Sequence, residues 1–289
     1  MAPKILLVGN CQVRPIEFLL RHLNNAEETN TIIVHLAKDS EREEYEHLLN
    51  SADIIVSQKI QDNYPCQTVR SSKIKEEHPT KTIFIPNLFY KGYTPDLRYY
   101  RLKGKGTLDG PLGDYHSSII LNCWKDGKTI EDTIQAYRSN RTWKKYYQNV
   151  AHESLVEYKH RENLLDIKLA SFIEENLQKQ QLFFTFNHPS KLLLTELVNK
   201  IATHLELRQT GNDVEVLAEP LDRFQIPIHP FTQKQLGLKF EGPTKFLGAG
   251  IRKKDPNERK TYSLKRLISR FFQHYSSKRD VIIELGVRQ

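Results

Sequence analysis

The sequence predicts an α/β fold, a parallel sheet flanked by helices, and two observations carry that expectation. Strand-like and helix-like stretches alternate through the first half of the chain. The 289 residues, 38% hydrophobic and 27% charged with both signs interspersed, have the length and balance to bury a full core in water.

Taken in order, residues 4–8 form a short apolar run, 14–23 repeat with helical period, 31–36 are β-branched, 40–50 are helical, 53–57 are strand-like, 66–77 are helical and 82–85 form another strand. In an open parallel sheet, ligands collect beyond the carboxyl ends of the strands. Those ends hold Gly9-Asn10-Cys11-Gln12, Ser57-Gln58 and Pro86-Asn87. Residues 86–113 are rich in Gly, Pro, Tyr and Lys and read as a lid or binding loop. Helical periods return at 115–124, 130–138 and across 143–179, a helical insertion of about 115–180. The sheet is expected to resume at 182–186 and to end in Asn187-His188-Pro189, with a helix over 190–205. Beyond Gly211, Pro220, Pro227, Pro230 and Pro243 interrupt any pattern. Residues 262–275 then form a basic amphipathic helix with Leu264, Leu267, Ile268, Phe271 and Phe272 on one face. The expected domains are an α/β catalytic domain, 1–205, and a C-terminal extension, 206–289, packed on it.

Several function classes fall away. No run approaches the roughly 18 apolar residues of a membrane span, and a strand begins too early for a secretory signal, so the expected compartment is the cytoplasm. Three cysteines without C-x-x-C spacing encode neither a disulfide framework nor a four-ligand zinc site. The histidines lack H-E-x-x-H spacing, and no catalytic metal is expected. Gly104-Lys105-Gly106-Thr107 lacks the first glycine and the preceding strand of a phosphate-binding loop, and no dinucleotide fingerprint occurs. The net charge of +8 suits phosphate-bearing partners: nucleotides, coenzymes, nucleic acid or anionic lipid.

Cys11 is the leading chemical candidate. A thiol in a strand-to-helix turn is expected to have its thiolate stabilised by the helix N-terminal dipole, and the same N–H groups can hold a developing oxyanion. The competing reading is a small buried hydrophobe, which the polar flanks Asn10 and Gln12 argue against. Acyl transfer needs a base; His188, between a strand end and a proline, and His116, at a helix start, are the candidates, and either also suits an ordinary packing role. Asn87 reads as an oxyanion donor or a turn residue. Cys66 and Cys123 read as packing. The stretch Tyr90, Lys91, Tyr93, Arg98, Tyr99, Tyr100, Arg101, Lys103 and Lys105 suits stacking on a base with cations on phosphates, or equally a solvated loop. No RNA-binding signature accompanies it, so nucleic acid is not expected.

Four blocks together are more specific than any one: Val8-Gly9-Asn10-Cys11-Gln12, the stretch from Pro86-Asn87 to Pro95-Asp96, Gly110-Pro111-Leu112-Gly113-Asp114-Tyr115-His116-Ser117, and Phe186-Asn187-His188-Pro189. In this order they resemble the WcbI-type polysaccharide biosynthesis enzymes, over roughly residues 4–200. The resemblance implies a coenzyme A-binding, acetyltransferase-like enzyme that moves an acyl group from acetyl-CoA to a sugar hydroxyl of a capsular or surface polysaccharide. The layout is also similar to SGNH-type hydrolases and sugar O-acetyltransferases, with Cys11, Ser57 or Gln58, and Asn87 after successive strands and His188 late in the chain. Two departures stand out: cysteine replaces serine as nucleophile, and Thr185 stands where an aspartate would precede the late histidine. A Cys11–His188 dyad, Cys11 with His116 oriented by Asp114, or direct attack by a deprotonated sugar hydroxyl would then do the chemistry. The expected coenzyme contacts are Gly9, Asn10, Gln12, Ser57, Gln58, Tyr90, Lys91, Tyr93, Arg98 and Arg101. The rivals are a thiol esterase or deacetylase on the same scaffold, and a non-catalytic basic module binding nucleotide, nucleic acid or anionic lipid. In that last reading the C-terminal helix makes a peripheral membrane contact.

Overall fold

The computed structural model describes residues 3–102, 106–249 and 259–283. They group into two compact units that interleave along the chain. The first comprises Met1–Phe89, Val156–Asn176 and His188–Leu221; the second comprises Tyr90–Leu155, Leu177–Asn187 and Asp222–Gln289. This grouping differs from the contiguous division at 205 drawn from the sequence, because the chain returns to each unit after leaving it.

In the first unit, β1 (Ile5–Gly9), α1 (Val13–Leu23), β2 (Thr29–Ile33), α2 (Arg42–Ser51), β3 (Ile54–Gln58), α3 (Ser71–Glu77) and β4 (Thr82–Ile85) alternate as expected. The strands form one four-stranded sheet in the order β2-β1-β3-β4, parallel at every pairing. All five residues of β1 are buried, the mark of a strand covered on both faces, which reads as a continuous apolar run rather than an alternating one. Leu6 and Val8 turn toward a cluster with Tyr45, Leu49 and Ile74, and Ile5 and Leu7 therefore face the other side.

Two elements moved. The strand expected over 31–36 is Thr29–Ile33, because β1 ends at Gly9 opposite Ile33 and the unpaired chain tightens into a 3₁₀ turn over Val34–Leu36. The helix expected over 66–77 divides into a turn, Gln67–Val69, and α3. At the edge of the sheet the Phe84 N–H donates to Asp166 Oδ2 at 2.7 Å and the Asp166 N–H returns to the Phe84 carbonyl at 3.0 Å, so a loop occupies hydrogen-bonding groups that an exposed edge would leave open.

α1 buries Val13, Ile16, Leu19 and Leu20, an apolar stripe at helical spacing. Against it packs the helix Lys191–His204, capped by Ser190. Just past both helices, the Asn25 N–H meets the Arg208 carbonyl at 2.8 Å and the Thr210 N–H meets the Leu23 carbonyl at 3.0 Å. The two helices thus run parallel, with their N-termini at the same end of the unit.

The second unit is helices and short antiparallel pairs around an aromatic core. Leu97–Arg98 pairs with His116–Ser117, Arg101–Leu102 with Gly106–Thr107, and Phe246–Ala249 with Arg259–Tyr262. Trp143, 1% exposed, stacks on His229 with ring centroids 4.2 Å apart, and Tyr93 lies edge-on between Tyr90 and Phe240. Ile130–Arg138 is the helix expected, fixed by a Thr129–Asp132 capping box. The helix expected over 115–124 begins later, at Ser118, capped by Ser117. Residues 143–179 hold three helices, Asn140–Tyr147, Val150–Glu162 and Ala170–Asn176, rather than one broken stretch. The strand expected to resume the sheet, observed as Phe183–Thr185, is no part of the four-stranded sheet. The C-terminal helix, Leu264–Ser277, buries Leu267, Ile268, Phe271 and Tyr275 within its own unit.

Candidate active site

The turn after β1 is built by side-chain amides. Asn10 Oδ1 accepts the Gln12 N–H at 2.9 Å, an Asx turn that redirects the chain into α1. Gly9 is required here: a Cβ would lie 2.6 Å from Gln58 Oε1 and 2.7 Å from Val13 Cγ1. With no side chain in the way, Gln58 reaches over the strand end and its Oε1 accepts the Asn10 N–H at 2.9 Å. Gln58 Nε2 donates to Gln12 Oε1 at 2.9 Å, and that oxygen also accepts the Leu88 N–H at 3.1 Å. Gln12 Nε2 donates to the Leu88 carbonyl at 2.8 Å, and Asn10 Nδ2 donates to Asn87 Oδ1 at 3.0 Å. The chain just beyond β1, β3 and β4 is thereby laced together, and Cys11 sits between the two residues that do the lacing.

Cys11 is half-buried. Burial pushes its thiol above the ordinary range, and a hydrogen bond from its own backbone N–H only partly offsets this. The expectation of a dipole-stabilised thiolate is corrected: desolvation dominates, and at neutral pH the group is a thiol that needs a base.

His188 is half-buried, three residues ahead of the helix Lys191–His204, whose parallel course beside α1 puts it at the same end of the unit as Cys11. His116 is fully buried in the second unit, with Nδ1 2.8 Å from the Tyr275 hydroxyl and Nε2 3.0 Å from the Leu108 carbonyl. Burial pushes its pKa down to about 4. Asp114 is exposed and occupies neither ring nitrogen, so the expected Asp114–His116 pair does not form and His116 is a satisfied core residue.

Several expected coenzyme contacts face inward. Gln12 and Ser57 are fully buried and Gln58 is 3% exposed; the Ser57 hydroxyl donates to the Gln58 carbonyl at 2.9 Å. These residues, with buried Gly9, build the turn instead of meeting a ligand. Tyr90 and Tyr93 are likewise core, at 3% and 2% exposure, with the Tyr93 hydroxyl on the Leu177 carbonyl at 2.5 Å. Asn10 and Asn87 remain half-buried at the site.

In the second unit, Lys91 and Arg98 are half-buried and Arg101 is exposed. Burial, and then the Arg98 charge, lower the Lys91 pKa. The Arg98 guanidinium donates to the Pro95 and Leu97 carbonyls at 2.6 and 2.7 Å. Lys103 and Lys105 lie outside the described residues. In the same unit the Tyr115 hydroxyl donates to Asn187 Oδ1 at 2.5 Å, and Asn187 Nδ2 donates to the Tyr99 hydroxyl at 3.1 Å.

Sequence reasoning missed the Leu88 main chain as a structural partner of the turn. It also missed Asp96, a carboxyl 1% exposed whose pKa burial raises, with Ser117 and Arg98 opposing. The available signal was a polar side chain in an otherwise apolar strand end, which must find partners when buried. A cavity of about 260 Å³ lined by Lys4, Glu28, Asn30, His47 and Ser51 opens at the amino ends of β1 and β2, away from Cys11. Among the described residues, no group of three His, Cys, Asp or Glu side chains could hold a metal ion, and no helix is long and apolar enough to cross a membrane.

Fold and site together define an α/β protein with a parallel sheet flanked by helices and a thiol-bearing turn beyond a central strand. The family model for the polysaccharide biosynthesis enzyme WcbI matches residues 4–210, and the chain belongs to that family. A solved WcbI structure, that of the native protein without a disulfide bond between coenzyme A and a cysteine, shares the fold: the TM-score is 0.71 at 16% identity over 98% of this chain and 97% of that one. No curated protein matches the chain.

Proposed function

We propose that the protein transfers an acyl group, in the first instance acetyl, from coenzyme A to a sugar hydroxyl during polysaccharide biosynthesis. The observation that carries this reading is the amide-laced turn that carries Cys11 at the carboxyl end of the sheet, with its neighbour Asn10 bonded to Asn87. Family membership supports a sugar acceptor, and the coenzyme A associated with the solved WcbI protein supports the donor. An acetyl-CoA donor supports a cytoplasmic reaction.

In this reading His188 takes the Cys11 proton as the sulfur attacks the thioester carbonyl. Negative charge grows on the carbonyl oxygen, where the Cys11 N–H and Asn87 Nδ2 donate. The carbon–sulfur bond to the coenzyme then breaks, and the proton held by His188 leaves with coenzyme A. The sugar hydroxyl attacks the acyl-cysteine, gives its proton to His188 and releases the Cys11 thiol. The raised thiol pKa also favours a second reading, in which His188 deprotonates the sugar hydroxyl for direct attack on acetyl-CoA.

Calorimetric titration with coenzyme A and with adenosine 3′,5′-bisphosphate tests the reading. Micromolar binding of both, roughly −8 kcal/mol, is expected. No detectable binding of either removes coenzyme A from the scheme and leaves the esterase. Consumption of acetyl-CoA without any sugar present also favours the esterase, and a mass gain of one acetyl group on Cys11 separates the acyl-cysteine route from direct attack.

A further inference from the structure

Four side-chain amides meet at the carboxyl end of the sheet, and main-chain groups that cannot exchange roles dictate how each one points. The Leu88 N–H and carbonyl require Gln12 to offer Oε1 to the first and Nε2 to the second. The Asn10 N–H requires Oε1 of Gln58, which leaves Gln58 Nε2 to donate to Gln12 Oε1. The Gln12 N–H requires Oδ1 of Asn10, so Asn10 presents Nδ2 to Asn87. Asn87 can meet that donor only with Oδ1. Its own Nδ2, with two N–H bonds, turns out of the ladder, and among the described residues it has no protein acceptor.

We infer that Asn10 is a positioning residue, which fixes the Asn87 amide with its nitrogen toward the reacting carbonyl oxygen. The inference rests on the proposed role of Asn87 as oxyanion donor. An asparagine amide rotates over a broad, nearly two-fold well, and its two faces are almost the same shape. Without a partner that only donates, Asn87 would present oxygen to an oxyanion as readily as nitrogen. Asn10 removes that choice, and the Gln12 main chain removes the same choice from Asn10.

Asn10→Asp is the decisive variant. The carboxylate still accepts the Gln12 N–H, so the turn keeps its bond, but it offers Asn87 an acceptor where the wild type offers a donor. Asn87 should reverse, binding the carboxylate with Nδ2 and showing Oδ1 to the site. Single-turnover acylation of Cys11, read by intact mass with acetyl-CoA and with p-nitrophenyl acetate as donors, is expected to slow about 10²- to 10³-fold, as for Asn87→Ala. The double variant should be no slower than either single one, because both remove the same donor. Asn10→Ser, which retains an acceptor for the turn but does not reach Asn87, should fall between wild type and Asn10→Asp. Wild-type acylation rates in Asn10→Asp, or losses that multiply in the double variant, would overturn the inference. If the wild type accepts an acyl group from neither donor, the acyl-cysteine reading fails and the side-chain amide resonances of Asn87, assigned by their loss in Asn87→Ala, decide the positioning claim. They should shift strongly in Asn10→Asp; unchanged resonances overturn it.

Discussion

Gln12 makes hydrogen bonds to Gln58 and to both main-chain groups of Leu88 while having no contact with solvent. It explains why the segment Gly9-Asn10-Cys11-Gln12 is polar at a point where the sheet is most apolar. The residue that gains from this rigidity is Cys11, whose thiol burial holds above its ordinary value. Its alkylation by iodoacetamide should keep accelerating as pH rises past 9, since only the thiolate reacts. A plateau reached below pH 8 would mean that a neighbouring group already holds the proton. At this scale the sequence located the strand-to-helix turn around Cys11, since a cysteine between amides after a first strand is visible in one dimension. It did not reveal that Gln12, Gln58 and Ser57 face inward. Side-chain direction depends on neighbouring strands, and a polar residue at a strand end looks the same whether it meets a ligand or a carbonyl.

At the scale of elements, alternation and helical period located all four strands of the parallel sheet and the helices between them to within a few residues. β2 slipped because the end of its partner β1 set its length, and that partner is distant in sequence. Pro230 was read as an interruption, yet it opens the helix Pro230–Leu236, with the His229 ring accepting the Phe231 N–H at 3.1 Å and Gly237 closing the far end at φ 63°. The proline-first, glycine-last signature was present in the sequence. The basic helix Leu264–Ser277 owes its place to its apolar face, where Phe271 is fully buried against the rings of His116 and Tyr275. Phe271→Ala should cost about 3–5 kcal/mol of stability by urea unfolding. A loss under about 1 kcal/mol would mean that the face is not a packed core.

The whole molecule has a pH window set by its buried histidines. His116 and His229 are held near pKa 4 by burial, below the ordinary value near 6.5. Between those values the unfolded chain takes up protons that the folded chain refuses, so their stabilising contribution is complete above about 6.5 and falls as pH drops toward 4. The thermal midpoint should therefore decline from pH 7.5 to 5; a flat profile would show that these rings are charged in the folded state. The family match ends at residue 210, whereas the shared fold covers 98% of the chain. The last third is thus part of the same architecture; outside the helices Pro230–Leu236 and Leu264–Ser277 its sequence carries little pattern, because irregular backbone around an aromatic core leaves no period to read.

The chain passes between the two units five times, each being assembled from three separate stretches. Such threading has a bearing on ancestry. A gene that broke off at residue 205 would take residues 206–221 from the first unit and 222–289 from the second. No single recombination joint can trade one unit for another, as happens with domains strung like beads. Exchanging either unit intact would need several joints at once, one at each of the passages between them.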